Sequence, residues 1–473
     1  MPGAQAASSD QSPVSSDQSP VPNTEYPTPN TDPSLTTQPP TCVSTSFQNI
    51  RGTFDILPDA YTEGETRIAS SAEWQAVESV IDDVMRRYNY EEIRTPIFEP
   101  TELVARGVGQ NTDIVQKEMF AFERSDTQYV LRPEITAPVM RAYLQHHLDQ
   151  RGGVQKLFYV GPCFRAEKPQ KGRYRQFHQF GVEVIGADDA RADAETIASM
   201  MAIYDAFGID DTRLRINTLG MPEARSAYVS DLVAYLEPYA DELSDTSRRR
   251  LETNPLRILD TKLDHEQDIL KDAPILTDYV RDEDREHYEE VKGLLDALDV
   301  AYHEDPHLVR GLDYYTRTAF ELESPSLGAQ SALAGGGRYD LLAQEIGSDE
   351  PVPAIGYAAG MERLFLALDT DRLPEPERPD VFLAALGDDA ARWVFRTTQT
   401  LRREGLHVAF DMKGRSLKAQ MREANRQDAT YTLIIGGNEL EAEAATVKHM
   451  ESGEQTEVPF AELTDYLTDR TTA

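Results

Sequence analysis

Cysteine is almost absent. Cys42 and Cys163 are the only two in 473 residues, and they form no CxxC pair, so neither a disulfide framework nor a thiolate zinc site has enough ligands. A reducing compartment is expected. Lysine is also scarce, 10 against 37 arginines, and these 47 cations face 82 Asp and Glu, for a formal charge of −35 and a pI near 4.6. Such a surface repels anionic membranes and phosphate polymers such as DNA, so no membrane or DNA partner is expected and any nucleic-acid contact has to be local. Excess carboxylate with little lysine suits a protein kept soluble in concentrated salt, where charge repulsion is strongly screened, and predicts a halophilic cytoplasm. No apolar run approaches the roughly 20 residues of a membrane span, and the N-terminus lacks the basic and apolar regions of a secretion signal. The histidines show no metal-ligand spacing: His146 and His147 are adjacent, not one helical turn apart, so no protein metal site is signalled. The dipeptide Gly-Lys never occurs, which excludes a phosphate-cradling P-loop, and Gly107 and Gly109 lack the third glycine of a dinucleotide fingerprint.

What is present falls into four stretches. Residues 1–46 are rich in Ser, Pro, Thr and Gln, contain SSDQSPV twice in tandem, and predict a disordered tail. From Phe47 the chain predicts a first domain to residue 373. Trp74, Val77, Val80, Ile81, Val84, Met85 and Tyr88 recur at helical spacing, and 156–167 with 174–186 read as an antiparallel hairpin around the loop 168–173. Between about 221 and 302 the pattern turns helical, with one stripe on Tyr228, Leu232 and Leu236 and another on Tyr288, Val291, Leu295 and Leu298, which predicts a helical insertion. The proline-rich 374–379 predicts a linker, and 380–473 a small α/β domain on a mainly parallel sheet.

Charge singles out the hairpin. Residues 151–180 carry Arg151, Lys156, Arg165, Lys168, Lys171, Arg173 and Arg175 against Glu167 alone, a +6 island in an acidic chain. A bound polyanion explains it; a solvated basic face is the alternative. Strand alternation places His178, Phe180, Val182 and Val184 on a core face, and Gln179, Gly181 and Glu183 on a polar one. Gly161, Cys163, Arg165 and Glu167 fall together on the partner strand. Arg165 suits a phosphate or carboxylate, and Glu183 suits a ligand N–H or ammonium. Gly335-Gly336-Gly337 permits close backbone approach to a ligand, or is a plain tight turn.

These runs together resemble the histidyl-tRNA synthetase family of class II aminoacyl-tRNA synthetases. IRTPIFEPTELVARGVG is similar to the first class motif, KLFYVGPCFRAEKPQKGRYRQFHQFGVEVIG to the second, and AIGYAAGMERL to the third. RGLDYYTRTAFE and LAGGGRYD are similar to the two histidine-specific motifs. The resemblance implies an α+β catalytic domain on an antiparallel sheet with a helical insertion, plus a C-terminal α/β anticodon-binding domain. It implies an enzyme that joins L-histidine to ATP and then to tRNA(His), accompanied by Mg2+, as a cytoplasmic homodimer built through the first motif. Histidine would lie among Glu134, Ile135, Thr136, Gln179, Glu183, Tyr314, Tyr315 and Tyr339. Arg165 and Arg310 would act at the α-phosphate and carboxylate, and Glu167, Arg173 and Arg363 would hold the rest of ATP. Many family members have Gly where this chain has Ile135: facing the substrate it would crowd the ammonium, facing the core it would change nothing. Lys168, Lys171 and Arg175 on the hairpin, and Lys413, Arg415 and Lys418 in the C-terminal domain, would touch tRNA. A regulatory paralogue that partners ATP phosphoribosyltransferase is the rival reading, disfavoured because it usually lacks an intact RGLDYY and the C-terminal domain.

Overall fold

The computed structural model describes residues 47–471 apart from 65, 111 and 374–376. The tail at 1–46 and the first part of the expected linker therefore lie outside the described residues. A small hairpin, β1 (Tyr61–Glu63) and β2 (Thr66–Ile68), precedes helix α1 (Ser71–Arg87), whose first turn is closed by a capping box between Ser70 and Glu73. Then come β3 (Glu91–Glu92), β4 (Phe98–Pro100), α2 (Thr101–Val108), β5 (Phe120–Arg124), β6 (Thr127–Leu131) and α3 (Thr136–Gln145). The basic hairpin forms as expected from β7 (Gln155–Phe164) and β8 (Gln176–Ile185). After α4 (Ala190–Ala206) and β9 (Arg213–Thr218), four helices follow: α5 (Pro222–Leu236), α6 (Asp245–Thr253), α7 (Asp264–Leu270) and α8 (Asp282–Ala297). The chain returns through β10 (His303–Glu304), β11 (Thr316–Glu323), β12 (Ala332–Arg338), α9 (Leu342–Glu345), β13 (Ala354–Gly360) and α10 (Met361–Ala367).

Eight of these strands make one sheet in the order β10-β9-β11-β12-β13-β8-β7-β3, antiparallel throughout its interior and parallel only at the two edge pairs. This is the α+β architecture expected from the sequence. One face carries Phe158, Phe180, Val182, Phe320 and Tyr357 into a core closed by α1, α4 and α8. The helical stripes serve two different cores. Tyr288, Val291 and Leu295 of α8 join this first one, while Tyr228, Leu232 and Leu236 of α5 join a second, on the other side of the sheet, with Tyr159 and Cys163. Leu298 falls outside its expected stripe: it lies just beyond the end of α8 and is 53% exposed.

The C-terminal segment folds as β14 (Val381–Ala385), α11 (Asp388–Arg403), β15 (Val408–Phe410), α12 (Leu417–Arg426), β16 (Tyr431–Ile435), α13 (Gly437–Ala442), β17 (Ala444–His449), β18 (Gln455–Pro459) and α14 (Leu463–Thr471). Its sheet runs β15-β14-β16-β17-β18. Here the expectation of a mainly parallel sheet is corrected: β14 is parallel to β15 and β16, but β16–β17 and β17–β18 are antiparallel. Only residues 436–443 separate β16 from β17, fewer than the dozen or so that a parallel crossover needs. Helix α11 packs Val394 and Leu401 on Val381 and Leu383, whereas α12 packs Ala424 on Phe382 and Ala384. Alternate residues of β14 thus hold the two helices on opposite faces.

Candidate active site

Residues paired across antiparallel strands project to the same face, so the register of the large sheet can be followed as rows. One row runs Arg215, Glu321, Gly335, Ala358, Gly181, Tyr159 from β9 to β7, and the next contains Ala319, Gly337, Gly356 and Glu183. The middle of each row is glycine or alanine, whereas the first ends in Arg215 and Tyr159 and the second reaches Glu183. That pattern makes a trough across the sheet, roofed by a cavity of about 1240 Å³. Helices α6 and α7 and the segment 254–262 supply one wall, including Arg249, Arg250 and Arg257.

Arg165 and Arg310 both line this cavity. Arg165 donates through Nε to the Pro133 carbonyl at 3.0 Å and lies over the Phe177 ring, its guanidinium carbon 5.1 Å from the ring centre. Arg310 donates from Nη1 to Glu321 at 2.6 Å and stands beside the Tyr315 ring, while its Nε is buried without a partner among the described residues. Burial opposes its charge, but Glu321, Tyr315 and Asp260 together outweigh that and raise its pKa. The guanidinium lies against Gly335, where any β-carbon would collide with it. This corrects one reading of the glycine tract: it is no turn but the interior of β12, where glycine leaves room for an arginine.

Glu134 and Thr136 line the cavity at the start of α3. The Glu134 carboxylate accepts from the backbone N–H of Thr136 at 2.7 Å and of Ala137 at 3.0 Å, yet burial still raises its pKa. Gln179, Tyr314, Tyr315 and Tyr339 line the same space, with Gln179 accepting from the Cys163 thiol at 3.2 Å. Burial pushes that thiol up to about 12, so it is no nucleophile at neutral pH. Glu183 sits beneath the lining rather than in it: it accepts from Thr136 Oγ1 at 2.7 Å, from Tyr159 at 3.2 Å and from the Tyr339 hydroxyl. Burial overrides those donors and pushes its pKa up to about 8. Ile135, placed among the ligand contacts by the sequence reading, is corrected: its side chain is 1% exposed and packs in the core with Val139 and Tyr159. Its neighbours on either side project into the cavity because the chain is entering a helix there, which turns the side chain between them inward.

Glu167, Arg173 and Arg363 are also in the lining. Arg173 pairs with Glu167 at 3.1 Å, and Arg363 donates to the Ala332 carbonyl at 2.5 Å, its pKa lowered by burial and by neighbouring Arg173. The basic island is less free than its composition suggested. Arg151 pairs with Glu91 at 2.7 Å and Lys156 with Glu195 at 2.8 Å, at the far end of β7, because acids distant in sequence are brought to them. Lys168 and Lys171 are exposed on the hairpin loop, while Arg175 is half-buried against the Arg51 carbonyl; none of the three lines the cavity. In the C-terminal sheet Lys413 and Lys418 are exposed, but Arg415 is tied to Asp411 at 2.5 Å and Glu423 at 3.3 Å.

Several lining residues escaped the sequence reading. Arg215 pairs with Asp305 and, at 3.4 Å, with Glu321, so two arginines share the Glu321 carboxylate. The signal for both was available: RLRINT and TAFELE alternate as the hairpin does, setting Arg215 and Glu321 opposite Leu214, Ile216, Phe320 and Leu322. Glu118, at the end of a short π-helical turn (Ile114–Glu118) after α2, gave no such signal; burial and the nearby Glu167 raise its pKa.

A family model described as histidyl-tRNA synthetase matches residues 67–364, which contain this whole cavity, and an anticodon binding domain model matches 380–470. The chain belongs to the histidyl-tRNA synthetase family. It is therefore an aminoacyl-tRNA synthetase of class II, an enzyme. Relatives named histidine–tRNA ligase include that of Lysinibacillus sphaericus, 48% identical over 90% of this chain and all of the relative, and that of Halothermothrix orenii, 47% identical over 88% and 98%. The apo histidyl-tRNA synthetase structure from S. aureus matches with a TM-score of 0.72 at 39% identity, covering 89% of this chain and all of that one. An ATP phosphoribosyltransferase regulatory subunit/histidyl-tRNA synthetase structure from Bacillus halodurans C, at a TM-score of 0.58 and 20% identity, shares the fold alone and leaves the regulatory reading the less supported one for this synthetase.

Proposed function

We propose that the cavity activates L-histidine with ATP and passes the histidyl group to the 3′ end of tRNA(His), releasing diphosphate and then AMP. The observation that carries this is the pair Arg165 and Arg310 facing one trough together with the Glu134, Thr136 and Gln179 cluster. In the first step the histidine carboxylate oxygen bonds to the α-phosphorus as the bond to diphosphate breaks. Arg165 and Arg310 meet the negative charge spread over that transition state, already held by Pro133 and Glu321 and so needing little reorganisation. Glu134 and Gln179, with Thr136, take the ammonium. Tyr315 and Tyr339 face the imidazole, whose donor and acceptor nitrogens both need partners, and Glu183 acts on it from behind the Tyr339 hydroxyl that it accepts from. Tyr314 packs its ring 4.6 Å from Tyr315 and supports that edge. Glu167 faces the adenine side, and Arg173 and Arg363 the outer phosphates. In the second step the terminal tRNA hydroxyl attacks the activated carbonyl and AMP leaves.

Mg2+ brought by ATP would supply charge screening at the outer phosphates, beside Arg173 and Arg363. The nearby carboxylates are engaged with cations: Glu321 with Arg310 and Arg215, and Glu167 with Arg173. We take 47–373 as the catalytic domain with an insertion at about 221–302, and 380–473 as the anticodon-binding domain after a linker at 374–379. A homodimer through the first motif is supported by its exposed apolar side chains, Ile97 at 44% and Phe98 at 55%. Lys168, Lys171 and Arg175 are proposed near the acceptor end of tRNA, and Lys413, Arg415 and Lys418 near its anticodon. A salt-rich cytoplasm is the proposed setting; no helix among the described residues is long and apolar enough to cross a membrane.

ATP–diphosphate exchange tests the reading. Exchange should depend on histidine, and Arg310→Ala should lower its rate by roughly 10²–10³-fold with an unchanged circular dichroism spectrum. Exchange driven by another amino acid, or none in the folded protein, would reject it.

A further inference from the structure

Arg215 lines the cavity but takes no part in the reaction proposed above. It stands on β9 directly across from Glu321 of β11, and Glu321 stands across from Gly335 of β12, against which the Arg310 guanidinium rests. Charge alternates along this row. Arg215 donates to Asp305 from Nε at 2.8 Å and again from Nη2, and Asp305 is itself held by the backbone N–H of His307 at 2.9 Å. The remaining arm of the fork, Nη1, lies 3.4 Å from Oε1 of Glu321 and 3.7 Å from Glu323. Oε2 of Glu321 accepts from Arg310 at 2.6 Å. Each oxygen of one carboxylate is thus taken by a different arginine.

The two arginines are not equivalent. Arg215 faces three carboxylates, Asp305, Glu321 and Glu323; burial opposes its charge, but these acids outweigh that and raise its pKa. A guanidinium so enclosed by negative charge has little attraction left for an incoming phosphate. Arg310 pairs with Glu321 and keeps its buried Nε without a partner among the described residues. Arg310 is therefore the arginine left to meet a ligand, and Arg215 the one spent on its surroundings. What that spending achieves follows from the shared carboxylate. Held at one oxygen, Glu321 could turn about its side-chain bonds and carry Arg310 with it; held at both, by a planar fork anchored on Asp305, it has one orientation. A group that acts on a transition state must be fixed to within a fraction of an ångström, and such precision comes from the neighbours of its neighbours.

We propose that Arg215 is a positioning residue for histidine activation: braced on Asp305, it fixes the Glu321 carboxylate, which in turn aims Arg310 at the α-phosphate. This rests on the aminoacylation reading above and adds to it the residue that holds Arg310's own partner. The test uses the full chain and histidine-dependent ATP–diphosphate exchange at saturating histidine and ATP. Arg215→Met, which keeps an apolar stem and removes the fork, should lower the rate roughly 10- to 100-fold, as a misplacement of about 1 Å does, and leave the KM for histidine within about threefold. In an Arg310→Ala background the same change should lower the rate less than about twofold, because the group it positions is gone. Arg215→Lys restores the charge but not the planar fork, so its rate should stay at least about fivefold below that of the unaltered chain. An unchanged rate in Arg215→Met overturns the proposal. So does an equal fall in both backgrounds, which marks an ion-pair cluster that serves the fold alone, and so does full recovery by Arg215→Lys, which shows that charge without orientation suffices. Absence of exchange in the unaltered chain sinks the aminoacylation reading instead. Should Arg215→Met not fold, Arg215→Lys is carried through both backgrounds, and equal falls there also overturn the proposal.

Discussion

Glu183 is the buried group whose titration should be readable in stability. Its carboxyl is enclosed by Thr136, Tyr159 and Tyr339, and burial pushes its pKa from the model-compound 4.5 to about 8. The folded chain therefore holds a proton there that the unfolded chain gives up between roughly pH 4.5 and 8. The stabilisation is fully present below the unfolded pKa and is lost as pH rises through the folded one, at up to about 1.4 kcal/mol per pH unit. Over the window the upper limit is about 5 kcal/mol. Glu183→Gln keeps the shape and removes the titration. Its stability relative to the unaltered chain should rise with pH, by roughly 2 to 3 kcal/mol between pH 6 and 8, measured as urea-unfolding free energies at constant ionic strength. Parallel stability curves for the two proteins over that range would mean that Glu183 is ionised in the fold and that the tyrosine and threonine hydroxyls win over burial.

Gly335→Ala should push the Arg310 guanidinium off Glu321 and cut the histidine-dependent exchange rate about 100-fold, with the circular dichroism spectrum retained because the colliding group is a side-chain end and not backbone. Equal activity would show that Arg310 works from elsewhere. Arg338, fully buried with Asp193 at 2.5 Å, is a second structural commitment, with His287 3.2 Å from the same carboxylate. Arg338→Met should cost about 3–5 kcal/mol of unfolding free energy by leaving buried Asp193 with His287 alone as its partner. Adding Asp193→Asn should recover part of it, and a double variant no better than the single one would contradict the pairing. Burial opposes the charge of Asp193, but Arg338 and His287 outweigh that and lower its pKa. Its contribution is therefore present above the usual carboxylate pKa near 4 and lost as acid protonates it.

Local chemistry was enough for much of this protein. Period-two alternation placed Phe180 and Val182 in the core and Gln179 and Glu183 opposite, since a strand has only two faces. Helical spacing found the buried side of α1 and two of the stripes between α5 and α8, and the ordered motifs identified the family before any contact was known. Composition could not say which charges were spent. Whether Arg151 and Lys156 stand free depends on Glu91 and Glu195, and whether Arg415 does depends on Asp411 and Glu423, and only folding brings these together. The direction of Ile135, the depth of Glu183 and the contact of Arg310 with Gly335 were likewise tertiary decisions. Each depends on which strand lies beside which, and strand order is set by packing across the whole sheet rather than by any stretch of neighbouring residues.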